Sequence, residues 1–272
     1  MLERIDESWT RLGKGKSSEV FRTRPGEVVK IFHSAVSEEM IEREMTAARL
    51  AGDLKLPTAA PLRRISVDTQ PALVYPEIRG LSMSAAIRKR PLAAAALLDR
   101  MAALHRMIHS HAITQLRTVQ SVLRTDIDYG PAPAALKSAA IAYLETLPDG
   151  CRLLHGDYHI DNIILQNGEL VVLDWAKAAM GDPAADAVRS EMLMRFGAGP
   201  IDPVTNLWRD WAARRLMRAY RRQSDVTGDA LARWRPVVAL AWLRARPPVR
   251  DRAFLPYLNQ ALRSVNLPPF TP

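Results

Sequence analysis

Between Trp9 and Phe32 apolar and polar residues alternate in three short runs, SWTRLGKG, SEVFRTR and EVVKIF, broken by glycine-rich or Pro-Gly turns. A period of two between turn residues predicts three strands. The pattern then changes to helical spacing. Ser37 opens a helix to Leu50 with Glu38 and Glu39 in its first turn, and Met40, Ile41, Met45 and Ala48 recur on one face. Strands are predicted again at Leu62 to Val67 and Ala72 to Tyr75, and Pro76-Glu77-Ile78-Arg79-Gly80 ends the alternation as a hinge. Beyond it the periodicity is helical: Ser82 to Arg90, Leu92 to His111, Pro133 to Leu147, Pro203 to Gln223, Gly228 to Arg244 and Val249 to Val265, with Pro247-Pro248 as a breaker.

One polar stretch interrupts this alternation of elements. LLHGDYHIDNIIL, Leu153 to Leu165, followed by VVLDW, Val171 to Trp175, sets His155, Asp157, His159, Asp161, Asn162 and Asp174 between short apolar runs. Reactive groups on a loop held by buried strands make an active-site layout. Lys30 is a second anomaly, since an ammonium in the middle of the apolar run VVKIF needs an anion. Two other motifs carry less. Gly15-Lys16-Ser17 ends like a phosphate-binding P-loop, but Thr10 stands where the first glycine belongs and a strand follows, so that reading is rejected. His105 and His109 have the i, i+4 spacing of zinc ligands, yet no further Cys or His completes a tetrahedral set, and they read as packing or surface histidines.

Composition narrows the class. The 272 residues are 48% hydrophobic, enough for one or two cores. Cys151 is the only cysteine, so no intramolecular disulfide forms. The charged start MLERIDESWTR is no secretory signal, and the longest apolar runs, such as Leu92 to Leu98 and Val237 to Leu243, fall far short of a membrane span. A cytoplasmic protein without membrane attachment is expected.

The spacing H-x-D-x-x-x-x-N at His155, Asp157 and Asn162, with Asp174 twelve residues further on, resembles the catalytic loop and metal-binding aspartate of the protein-kinase-like superfamily. HGDYHIDN is similar to the HGDxHxxN variant of the aminoglycoside phosphotransferase and choline kinase family. The resemblance runs from about Leu12 to Asp186. It implies a two-lobed α+β fold, with a small β-rich nucleotide-binding lobe in 1–78 and a larger helical catalytic lobe in 79–272. It also implies an ATP-dependent phosphotransferase with a small-molecule hydroxyl acceptor.

Carried over residue by residue, Asp157 positions the hydroxyl and accepts its proton, while Asn162 and Asp174 hold Mg²⁺. Gly13, Gly15 and Ser17 lie in a turn over the phosphates. Lys30 bridges the α- and β-phosphates and is held by Glu44, with Glu42 as the rival. The Pro76 carbonyl and the Ile78 amide take the adenine, so side chains there do not separate ATP from GTP. His155 and His159 support the loop, and within Gly181-Asp182-Pro183-Ala-Ala-Asp186 the last aspartate braces it. Eleven residues between Asp174 and Asp186 leave no room for a peptide-docking activation loop. Ile160 and Asp161 depart from the Pro and Gly usual in the family.

The charge is uneven. Residues 178–272 hold 15 Arg and 8 acidic residues, a net +7, against +2 for 1–177. Such a region opposes polycations, which favours a neutral or anionic acceptor. That reading would weaken if Asp202, Asp210, Asp225 and Asp229 formed an acidic patch, or if Trp208, Trp211, Trp234 and Trp242 caged a quaternary amine. The densest stretch, Arg209 to Gln223, is an amphipathic helix with Trp208, Trp211 and Leu216 on its apolar side. Without a nucleic-acid reader motif it reads as a solvated face rather than a nucleic-acid adaptor. A regulatory pseudoenzyme is the other alternative, and the joint presence of Lys30, Asp157, Asn162 and Asp174 argues against it.

Overall fold

The computed structural model describes residues 2–3, 8–15, 17–245 and 250–272, which pack as two compact units. The first comprises 1–89 together with 160–177, the second 90–159 and 178–272. In chain order the first unit begins with β1 (Leu2–Glu3), β2 (Thr10–Lys14), β3 (Ser18–Arg24) and β4 (Glu27–Phe32). Helix α1 (Glu38–Asp53) follows, then β5 (Arg63–Val67), β6 (Gln70–Pro76), β7 (Leu81–Ser82) and α2 (Met83–Lys89). The large sheet runs β1-β5-β6-β4-β3-β2, antiparallel except where β1 joins β5.

Alternation divides this sheet into two buried faces. Val29, Ile31, Ile65, Val67, Ala72 and Val74 pack on one, with Trp9 and Phe21 against them. Phe32 and Leu73 meet Ile41 and Met45 of α1 on the other. Lys30 shares the parity of Phe32, so the period of two that buries the strand also turns its ammonium toward α1. Ser37 caps that helix by accepting from the Met40 amide at 3.3 Å. Met40 itself is exposed, because the buried stripe is Ile41, Glu44, Met45 and Ala48, one position round from the expected face.

The second unit opens with α3 (Ala94–His109), α4 (Val119–Asp128), α5 (Ala134–Leu144) and β8 (Arg152–Leu154). The chain returns to the first unit for β9 (Ile163–Gln166) and β10 (Glu169–Val172), joined by Asn167-Gly168 with both φ positive, the two-residue turn that suits hairpin twist. It re-enters the second with β11 (Ala179–Gly181), α6 (Pro183–Phe196), α7 (Pro203–Gln223), α8 (Gly228–Ala245) and α9 (Asp251–Arg263). Ten of the 14 residues of α6 are buried, so it forms the centre of this unit, with α7 and α8 against it.

Helix α4 was not apparent from the sequence: only Leu123 and Ile127 are buried, and its Thr118 cap sits in a polar stretch that reads as loop. Helix α3 is shorter than Leu92 to His111 because Pro91 imposes a 3₁₀ turn ahead of it. Val249, Pro247 and Pro248 lie outside the described residues. Trp234 and Trp242 are buried core residues of α8, whereas Trp208 and Trp211 are half-buried. No helix among the described residues is long and apolar enough to cross a membrane.

Candidate active site

The first unit contains a cavity of about 1290 Å³. Gly13, Gly15, Lys30, Glu44, Pro76, Ile78, Asn162 and Asp174 all line it; Ser17 does not, and Ser18 takes its place. The Gly15 amide donates to the Ser18 carbonyl at 2.8 Å, which closes the turn, while the Ser17 carbonyl accepts from the His33 amide at 2.9 Å. One further step along the chain therefore brings a serine into the wall.

Lys30 Nζ donates to Glu44 Oε1 at 2.6 Å and to Asp174 Oδ1 at 3.2 Å. Glu44 is the carboxylate that α1 buries against the sheet; Glu42 is exposed. Burial alone would lower the Lys30 pKa, but Asp174 and Glu44 outweigh it and the ammonium stays charged, above its ordinary value. Burial pushes the Glu44 carboxyl above the usual carboxylate range, with Lys30 opposing the rise. Tyr75, which the sequence did not single out, donates its hydroxyl to Glu44 Oε1 at 2.9 Å. Asp174 adopts φ +63, a left-handed conformation costly for a residue with a side chain and concentrated at functional positions. Next to it Trp175 is buried, and its indole Nε1 donates to Thr58 Oγ1 at 2.8 Å. Gly80 is fixed by close approach, since a Cβ there would lie 2.2 Å from the Leu165 carbonyl oxygen.

The other polar cluster is in the second unit, where residues 155–159 follow β8. Asp157 and Tyr158 are buried, and His159 is half-buried. Asp186, at the first turn of α6, accepts from the His155 amide at Oδ2 (2.8 Å) and from the Gly156 amide at Oδ1 (2.9 Å). His105 Nε2 and His109 Nε2 lie 3.0 and 3.1 Å from the same Oδ2. These two histidines thus carry a buried carboxylate, a role their spacing alone did not disclose. Together with Asp186 they make a group of three whose facing atoms lie within 4.8 Å of one another. Their separations are hydrogen-bond lengths, and three ligands fall short of a structural tetrahedral site. Gly156 has φ +76, and Arg189 Nε donates to its carbonyl. The Asp157 amide donates to His155 Nδ1 at 3.2 Å.

Burial would raise the Asp186 carboxyl, but hydrogen bonds from His105 and His109 hold it well below its ordinary value. Burial and the neighbouring His109 lower His105 to about 4, against the contribution of Asp186. An imidazole with a depressed folded pKa binds fewer protons than the unfolded chain between about 4 and 6.5, so stability falls as pH drops through that window. The melting temperature of the wild type is expected to decline from pH 7 to pH 5, and His105→Gln, which keeps a donor toward Asp186, should flatten that slope. Parallel slopes in a calorimetric series would remove His105 as the cause.

A β-rich unit with a covering helix, a helical unit, and these two polar clusters define a two-lobed, protein-kinase-like α+β fold. The chain belongs to the phosphotransferase enzyme family, whose model matches residues 8–236. Among solved structures it is similar to the amicoumacin kinase hAmiN in complex with AMP-PNP, Ca²⁺ and Ami, at 15% identity and TM-score 0.65 over 98% of this chain and 91% of that one. It is also similar to aminoglycoside phosphotransferase APH(3'')-Id from Streptomyces rimosus, at 17% identity and TM-score 0.59 over 87% and 93%. A third is a choline/ethanolamine kinase family protein from Mesorhizobium loti, at 18% identity and TM-score 0.56 over 95% and 86%. No curated protein matches the sequence.

Proposed function

We propose that the chain transfers the γ-phosphoryl group of ATP to a hydroxyl of a small molecule. The observation that carries this reading is Lys30, held by Glu44 and Asp174 in the wall of a cavity that also includes the Gly13–Gly15 turn and the Pro76–Ile78 hinge. A fixed ammonium in the wall of such a cavity suits a polyphosphate. Family membership and the AMP-PNP bound by the amicoumacin kinase support ATP as donor, with GTP left open by main-chain recognition at Pro76 and Ile78. The nucleotide-binding lobe is proposed to end functionally at the hinge after Ile78.

Asp174 and Asn162 offer a carboxylate and a carboxamide oxygen, a donor set that suits a hard divalent cation, and Mg²⁺ held there would offset phosphate charge. Asp157 orients the acceptor hydroxyl and takes its proton. As the acceptor oxygen bonds to the γ-phosphorus, the bond to the β-phosphate oxygen breaks and ADP leaves. His155, His159 and Asp186 are assigned to holding the Asp157 loop.

ATP binding should tighten with Mg²⁺ in calorimetry, by about tenfold or more, and Asp174→Asn should abolish the difference. Equal affinity with and without Mg²⁺ in the wild type would overturn the reading. The acceptor is proposed to be neutral or anionic. Of the acidic residues that could have compensated a polycation, Asp202 caps α7 at the Thr205 amide and Asp210 binds Arg195 and Arg250. Release of ADP in a screen of sugars, nucleosides, hydroxy acids and aminoglycosides tests this, and turnover confined to aminoglycosides would reject it.

A further inference from the structure

We infer that His109 and Tyr220 are positioning residues for the Asp157 loop, acting through Asp186; the kinetic part of this inference rests on the function proposed above. A carboxylate only accepts hydrogen bonds, so His105 Nε2 and His109 Nε2 must both carry protons toward Asp186. His109 Nδ1 lies 2.6 Å from the Tyr220 hydroxyl on α7. With Nε2 turned to Asp186, Nδ1 is left to the Tyr220 hydroxyl, and that bond fixes the orientation in which the ring faces the carboxylate. The chain of bonds runs Tyr220 to His109 to Asp186 to the amides of His155 and Gly156, from α7 through α3 and α6 to the two residues ahead of Asp157.

The residue after Asp157 is held from the same helix. His105 stacks on Tyr158 with centroids 4.2 Å apart and planes 19° from parallel, and the Tyr158 hydroxyl donates to the Met101 carbonyl at 2.7 Å. Both flanks of the candidate base thus depend on groups of α3, and every side chain in the chain of bonds is buried. Removing the Tyr220 hydroxyl leaves Nδ1 without that partner, so the ring can rotate away from Asp186 and loosen the carboxylate's hold on the loop.

Amide hydrogen exchange tests this independently of activity. In Tyr220→Phe and in His109→Leu the His155 and Gly156 amides should exchange about tenfold faster or more, with helix α8 unchanged. In His109→Gln, whose carboxamide can still donate to Asp186, protection should return toward wild type. Turnover should fall about tenfold in Tyr220→Phe with KM for ATP within about twofold, as expected for a displaced catalytic group rather than a damaged nucleotide cavity. Wild-type exchange at both amides in a folded Tyr220→Phe protein overturns the inference even if His109→Leu does not fold. A wild-type protein without phosphotransfer overturns the proposed function instead, and the exchange data still decide the positioning role.

Discussion

Asp157→Asn should lower turnover by about two orders of magnitude or more while nucleotide affinity stays within a few-fold. The substitution preserves shape but removes the carboxylate proposed to accept the hydroxyl proton. The groups lining the cavity of the first unit, Lys30, Glu44 and Asp174 among them, are untouched. The amides of His155 and Gly156 keep their acceptor in Asp186, so the loop retains its backbone support. Single-turnover measurement of ADP formation alongside calorimetric ATP affinity separates the two quantities. Turnover at the wild-type level would show that Asp157 is not the group that engages the acceptor.

The second large effect is on stability. Asp186→Leu removes the acceptor for the buried His155 amide, the half-buried Gly156 amide and two buried imidazole N–H groups at once. Each orphaned donor costs about 1–3 kcal/mol, and relief from burying a carboxylate offsets only part of the sum. A net loss of about 4 kcal/mol corresponds to a drop of roughly 10 °C in melting temperature for a protein of this size. Asp186→Asn should fall between, because one carbonyl oxygen remains while the new amide nitrogen faces donors. Thermal unfolding followed by circular dichroism measures both. A leucine variant melting within about 2 °C of wild type would mean that other groups satisfy those donors.

The sequence disclosed what has a local period. Lys30 stood out as an ammonium inside an apolar run that needs an anion, and α7 begins and ends where Pro203 and Gln223 suggested, because a proline start and a polar end punctuate a long periodic stretch. The Arg-rich face was also legible: Arg214, Arg218, Arg221 and Arg222 are exposed, although Arg209 is buried and donates to the Gly197 and Ala198 carbonyls at the end of α6. Partnerships across distance were not legible. Tyr220 meets His109 across 111 positions, and Arg189 meets Gly156 across 33, so no spacing rule joins them. That His105 and His109 face one shared carboxylate became legible only once Asp186 was placed between them. Ser18 rather than Ser17 stands in the cavity wall, because the register of a glycine turn is set by its closing hydrogen bond, which composition does not specify.

The interleaved course of the chain governs how the first unit can be made. Its strand pair β9–β10 and Asp174 arrive after 70 residues, 90–159, that belong elsewhere, and Lys30 must wait for a partner 144 positions downstream. During synthesis the emerging sheet therefore holds an ammonium with only Glu44 to neutralise it until the ribosome has delivered residue 174. A fragment ending at residue 89 would keep the six-stranded sheet but lose two of the three strands of β10-β9-β7 and the Trp175 indole that binds Thr58. Closure of so distant a contact is slow relative to local hairpins. The interval between emergence of residue 89 and residue 177 is when this unit is most open to proteases and chaperones.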